Sequence, residues 1–340
     1  GCGVIGTITS EAIPGRHLLR PLGQMNNRGN GKGGGLAVAG CFPSMADHFA
    51  LHVATFDPGV REELERDLLE PRFTVDHREE VAHLEDHRAL PGLEARPPDV
   101  TRYFVRGRPE AMAELARELE VEASGWVEEE LVSRTSFELN HRWYSATEPR
   151  AFVLSQGRNM MILKGVGFAE DILRYYRLEE VEGTVWIGHQ RYPTRGRVWH
   201  PGGAHPFAGL DEALVHNGDL ANYASIAAYL GQKGIEPLFL TDTELAVLLF
   251  DLYNRVYRYP LEHVCEALAP TTERDFDMLP KDRQRVYRAL RACHVHGSPD
   301  GPFFFIIARS LPAEGAVQLI GITDTSMLRP QVFALAERSE

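Results

Sequence analysis

Gly1-Cys2-Gly3-Val4-Ile5-Gly6-Thr7-Ile8-Thr9 opens the chain. The stretch is short, apolar and rich in β-branched residues, and Ser10-Glu11 with Pro14-Gly15 follows as a stop signal, so it predicts a first strand. Cys2 stands at the start of that strand. A cysteine with a free α-amine carries its own general base, because an α-amino group titrates near ~7.7–8.0 and takes the thiol proton at neutral pH. An internal cysteine has no such partner, and in the 340-residue sequence Gly1 still occupies the Cys2 amine.

The rest of the composition narrows the function class. With 44% hydrophobic residues, the chain can bury a sizeable core as one large domain or two smaller ones. A net charge of -12, with arginine dispersed among glutamate and aspartate, argues against nucleic-acid binding. Apolar runs stay short of the ~20 residues that a membrane span needs, and the start lacks a secretory order, so no membrane role and a cytoplasmic protein are expected. Cys2, Cys41, Cys265 and Cys293 show no CxxC spacing, which predicts neither a disulfide framework nor a structural zinc. Cys293-His294-Val295-His296 lacks a second ligand cluster, so no metal is expected there.

Outward from Cys2, Met25 through Gly35 forms a glycine-rich loop before a second strand at 36–40. It is not a phosphate-binding P-loop: Lys32 is followed by Gly33 rather than Ser or Thr, and the upstream glycine position holds Asn27. Residues 57–150 are dense in Glu, Arg and Leu with helical periodicity at 59–70 and 109–132, which predicts a helix-rich insertion. Beyond it, 151–155 and 160–163 read as a hairpin, 169–176 as a short helix and 184–188 as a strand. A further strand at 213–216 turns at Asn217-Gly218. Helices are expected at 220–232, 243–258, where Asp242 is a natural N-cap, and 281–293; strands at 303–309 and 317–323 close a hairpin. Strands at both ends with helices between predict a layered α+β architecture rather than an alternating βαβ sheet.

Thiol attack on a carboxamide places negative charge on the former carbonyl oxygen, and preorganised donors meeting that charge are often the largest catalytic contribution. The Asn217 side chain and the Gly218 N–H can serve, although the pair also fits a plain β-turn. Arg191, leaving an apolar strand, can hold an α-carboxylate with help from the Thr194 hydroxyl, or can sit in a surface ion pair. Asp242 can receive an α-ammonium group, a role compatible with an N-cap. Nucleophile, oxyanion donors, cation and anion together suit an amino acid ending in an amide: glutamine.

These segments resemble the ordered signatures of class II glutamine amidotransferases, which are N-terminal nucleophile hydrolases. The resemblance rests on Cys2-Gly3-Val4-Ile5-Gly6, Arg28-Gly29 with its continuation, Gly188-His189-Gln190-Arg191-Tyr192-Pro193-Thr194, His205-Pro206-Phe207, His216-Asn217-Gly218-Asp219-Leu220 and Thr241-Asp242-Thr243-Glu244. It covers nearly the whole chain, residues 1–340, except the segment 57–150. Gly301-Pro302-Phe303, Asp324 and Leu328-Arg329-Pro330 are similar to the amidotransferase part of glutamate synthases, above all forms in which it is a separate polypeptide.

The resemblance implies a four-layer αββα sandwich. Cys2 would be the nucleophile and its amine the base, Asn217 and Gly218 the oxyanion hole, Arg191 and Thr194 the carboxylate clamp and Asp242 the amine clamp. Arg28 and His216 would support the site. Glutamine would be hydrolysed to glutamate through a thioester, and ammonia passed to a separate flavin-dependent synthase subunit. The resemblance places no cofactor on this chain; FMN and an iron-sulfur centre belong to such a partner. The alternative is a non-catalytic scaffold or regulatory subunit whose Cys2 amine stays blocked.

Overall fold

Strand β1 (Gly3–Pro14) runs antiparallel to β8 (Glu182–Gln190), with Gly3 opposite Gln190. A register shift between Ile8 and Ile13 carries β1 past Ser10-Glu11 to Pro14, beyond the end that the sequence predicts. Between them in the chain lie β2 (Gly34–Ala39), β3 (Phe49–Thr55), β4 (Phe73–Glu80), β5 (Asp99–Gly107), β6 (Ala151–Ser155) and β7 (Met160–Gly165). After β8 come β9 (Phe207–Ala208), β10 (Glu212–Gly218), β11 (Phe303–Leu311) and β12 (Ala316–Thr323). The structure, a computed structural model, describes all residues except 123, 146, 193–199, 327–330 and 338–340.

Three antiparallel sheets form, in the orders β1-β8-β2-β7, β12-β11-β10-β9 and β4-β5-β3-β6. Side chains alternate across the first two with the period of a strand. Ala37, Ala39, Met160, Ile162, Val185 and Ile187 of the first sheet meet Ala213, Val215, Phe304, Ile306 and Ala308 of the second in one buried cluster. The opposite faces carry Leu36, Val38, Met161, Leu163 and Trp186 on one side and Leu214, Phe305 and Ile307 on the other. Helix Ala169–Tyr175 packs against β2 and β7, and helix Asp242–Asp251 against β10. The two sheets therefore share a dry interface, with helices on their outer faces.

The third sheet has its own core. Leu51, Val53, Tyr103 and Val105 of its strands pack with Leu64, Leu68, Val127, Val132, Leu139 and Trp143 from neighbouring helices. Residues 57–150 supply the helices Pro109–Glu118 and Gly125–Trp143, and also β4 and β5. The sequence reading leaves out both strands. In β4 only Phe73 is buried and the other residues are exposed or half-buried, so its charge density hides it from a hydrophobic pattern.

The predicted hairpin of 151–155 and 160–163 does not form. β6 pairs with β3, whereas β7 pairs with β2 in another sheet. Every residue of both strands is buried, so neither shows the one-faced alternation that would reveal its neighbour. The β11–β12 hairpin forms as expected, with Phe304 opposite Thr323 and Gly315 in the left-handed region at its turn. No described helix is long and apolar enough to cross a membrane.

Candidate active site

The pairing of Gly3 with Gln190 dictates the centre of the site, because it brings the residue before β1 beside the residues that follow β8. Cys2 thereby meets Arg191 and Tyr192, and the Tyr192 N–H donates to Cys2 Sγ across 3.3 Å. Arg191 is held through its backbone by the glycine-rich loop: its N–H donates to Gly33 O at 2.9 Å, and its carbonyl accepts from Asn30 N at 3.1 Å. Gly35 is required by close approach, since a Cβ there would lie 2.4 Å from His205 O. The loop read against a P-loop is thus a backbone clasp around Arg191.

Burial pushes the Cys2 thiol up, while the Tyr192 N–H, the chain's terminal ammonium and the Arg191 guanidinium pull it back; burial prevails. Burial likewise lowers the Arg191 guanidinium, opposed by Cys2 and Asp242.

Asn217 and Gly218 do not form the predicted tight turn. They remain in β10, opposite Phe304 and Phe303 of β11, because pairing with an apolar central strand overrides the local Asn-Gly preference. Gly218 is fixed by space: a Cβ would lie 2.3 Å from Pro302 O and 2.7 Å from His216 Nε2. The buried Asn217 side chain makes no hydrogen bond to any described residue, so its amide is available to a ligand.

Asp242 is not the N-cap. Thr241 takes that position, its hydroxyl accepting from Glu244 N at 3.1 Å, and Glu244 reaches back to Leu238 N and Phe239 N at 2.7 and 2.8 Å. The Thr241 hydroxyl supplies half of a capping box, for which Thr241-x-x-Glu244 is the sequence signal, while the Glu244 carboxylate goes to the loop ahead of the cap instead of to the Thr241 N–H. With the cap supplied by its neighbour, the Asp242 carboxylate accepts from Leu220 N at 3.3 Å and lies 3.6 Å from His216 Nδ1. Burial would raise this carboxyl, but His216 and the N–H groups of Leu220 and Thr243 outweigh it and hold Asp242 below the usual carboxylate range.

Cys2, Arg191, Tyr192, His216, Gly218 and Asp242 line one cavity of about 450 Å³, within the range of small-molecule sites. Cys2 also borders a second, more apolar cavity of about 420 Å³ lined by Asn217, Arg28, Phe304, Ile306 and Phe333. The thiol therefore sits at a junction, with Gly218 bordering the first space and Asn217 the second. Arg28 is exposed and also borders Gly1. Thr194 and Leu328-Arg329-Pro330 lie outside the described residues.

Beneath the cavity is a histidine layer that the motifs contain but do not explain. His189 and His205 stack at 4.0 Å, and Thr243 Oγ1 lies 3.2 Å from His205 Nε2 and 3.3 Å from His216 Nδ1. Burial drives His189 down to about 3 and His205 well below its ordinary value, so both rings are neutral in the fold. Among the described residues no group of three or more His, Cys, Asp or Glu could hold a metal ion. His294 has both ring nitrogens engaged by the phenols of Tyr229 and Tyr259.

No family model matches the chain. An uncharacterized protein of Archaeoglobus fulgidus is 32% identical over 333 residues, covering 97% of this chain and 81% of that protein. A glutamine amidotransferase-like protein GlxB of Rhizobium meliloti is 35% identical over 103 residues, 30% of this chain and 34% of its own length. A glutamine–fructose-6-phosphate aminotransferase of Campylobacter jejuni is 33% identical over 119 residues, 35% of this chain and 19% of its own length. The aligned segment thus spans about a third of the GlxB-like protein and about a fifth of the aminotransferase.

Proposed function

We propose that the chain is a class II glutamine amidotransferase, a glutaminase subunit that feeds ammonia to a separate, glutamate synthase-like enzyme, a reading supported by its partial likeness to glutamine amidotransferases. The observation that carries this reading is the single cavity in which a thiol, Cys2, meets a guanidinium, Arg191, and a carboxylate, Asp242. A free amino acid with a reactive end fits those groups. The helix-covered pair of facing sheets supports assignment to the four-layer αββα N-terminal nucleophile hydrolase architecture.

In this reading Arg191, with Thr194, takes the glutamine carboxylate and Asp242 its ammonium group. The Cys2 amine removes the thiol proton, and sulfur adds to the side-chain carbonyl carbon. Asn217 Nδ2 and Gly218 N donate to the oxygen that becomes negative. Collapse of the adduct breaks the C–N bond, and the proton held by the amine leaves with ammonia. Water then adds to the γ-glutamyl thioester and releases glutamate and the free thiol. His216 orients Asp242, and Arg28 flanks the cysteine.

The resident chemistry needs no cofactor; a flavin or iron-sulfur centre would belong to the ammonia-consuming partner. Residues 57–150, which share their core with β3 and β6, would offer that partner a surface. A cytoplasmic setting accords with this metabolism.

The test is glutamate release from glutamine by a protein whose chain starts at Cys2, alone and with its partner. Activity lost in Cys2→Ala with the fold intact is the expected result; no release from the unsubstituted protein in either setting overturns the reading. Intact-mass measurement of protein from its native source distinguishes the blocked scaffold, which would retain Gly1.

A further inference from the structure

Lys164 is buried in β7 without a carboxylate of any described residue at ion-pair distance. Its ammonium instead donates to Gly202 O and Pro206 O, both at 3.2 Å, and lies 3.9 Å from the Phe207 ring centroid, with Phe239 and Phe152 at 5.4 and 5.9 Å. Desolvating a lysine this fully is costly, and well-packed apolar side chains commonly replace such groups at no loss of stability. A function other than stability accounts better for its presence.

The two carbonyls bracket His205. That residue lines the substrate cavity, stacks on His189 and touches Thr243. Glu244 shares a small cavity of about 60 Å³ with Lys164. Its carboxylate binds Leu238 N and Phe239 N, which fixes the chain leading into Leu240, Thr241 and Asp242, three further residues of the substrate cavity. Phe239 belongs to both arrangements, since its amide meets Glu244 and its ring faces Lys164. Leu240 adopts φ 57°, an uncommon conformation for leucine that needs such external fixing.

We infer that Lys164 and Glu244 are positioning residues for the glutamine site: each holds one wall of the substrate cavity by backbone hydrogen bonds, Lys164 the His205 wall and Glu244 the Asp242 wall. Neither side chain lines the substrate cavity. Removing either lets its wall drift, which weakens capture of the amino acid more than attack by the thiol. The inference rests on the glutaminase reading.

The experiment measures steady-state glutamine hydrolysis by the unsubstituted protein, Lys164→Met and Glu244→Gln, each starting at Cys2, together with Cys2 alkylation by iodoacetamide without glutamine. The expected result is a KM raised by about tenfold or more with kcat and the alkylation rate within about threefold of the unsubstituted protein. Should Lys164→Met fail to fold, Lys164→Gln, which is shorter and uncharged but keeps an N–H donor, tests the His205 wall in the same assay, and the near-isosteric Glu244→Gln tests the Asp242 wall. A KM raised by less than about tenfold in the folded variants, or a loss confined to kcat, overturns the inference. An inactive unsubstituted protein instead overturns the glutaminase reading, and the inference with it, so the two failures are told apart in one assay.

Discussion

The backbone N–H of Tyr192 points at the sulfur of Cys2 across 3.3 Å, although 190 positions separate them in the chain. An N–H donor favours the thiolate, while burial of the group opposes it. The sulfur is therefore held in place but left mostly protonated at neutral pH, and it depends on a nearby base. Removing the sulfur by Cys2→Ala should lower glutamine hydrolysis by about three orders of magnitude or more, as loss of a nucleophile does. Keeping Gly1 attached should cost ~10²–10⁴-fold, the size of a lost general base. Rates for chains starting at Gly1 and at Cys2, compared side by side, check this.

Asn217→Ala should act on turnover rather than binding. If its amide meets the charge that develops on the substrate oxygen, kcat falls by ~10²–10³ while KM changes little. A rise in KM with kcat intact would assign Asn217 to substrate binding instead.

Asp242→Asn should raise KM for glutamine by at least about tenfold, since it removes the charge proposed to face the substrate ammonium and the carboxylate beside His216. The same carboxyl bears on stability. Its folded pKa lies below its unfolded value, so its contribution is present above the unfolded pKa of about 3.9 and is lost as pH falls through the folded value. Acid unfolding of Asp242→Asn should accordingly be less steep than that of the unsubstituted protein, measured by circular dichroism between about pH 5 and 2.

Burial lowers Lys164 from its ordinary value to about 7, with Glu244 acting in the opposite direction and Arg191 in the same one. A lysine depressed in the fold binds fewer protons there than in the unfolded chain between about pH 7 and 10.5, so this group makes stability rise with pH across that window. The unfolding free energy of the unsubstituted protein, relative to Lys164→Met, should increase from pH 7 to 9 by up to about 1.4 kcal/mol per pH unit. Denaturant titrations at three pH values measure it; a constant difference would place the Lys164 titration elsewhere.

Much of the site was legible because its chemistry is local. Gly188-His189-Gln190-Arg191 ends an apolar strand, and the chain must leave the sheet there, as it does. The Thr241-x-x-Glu244 spacing even holds the information that moves the cap off Asp242, because a threonine that caps the N–H three residues on is a short-range pattern. Lys164 gives no such sign. A lysine inside Met-Met-Ile-Leu-Lys-Gly reads as an exposed edge position, and only packing against Phe207 and Phe239 reveals that it is buried.

By itself, the sequence determined a cysteine at the head of a strand, a charged pair suited to an amino acid, and the apolar, β-branched runs that become the central strands. Only the tertiary structure decided that β6 and β7 part to different sheets, that Asn217 and Gly218 stay in a strand, and that Cys2 stands between two cavities. Residues that share short-range geometry reveal their partners in the sequence. Strand pairing and cavity walls arise from contacts between segments far apart in the chain, whose fully buried faces carry no mark of which neighbour they will meet.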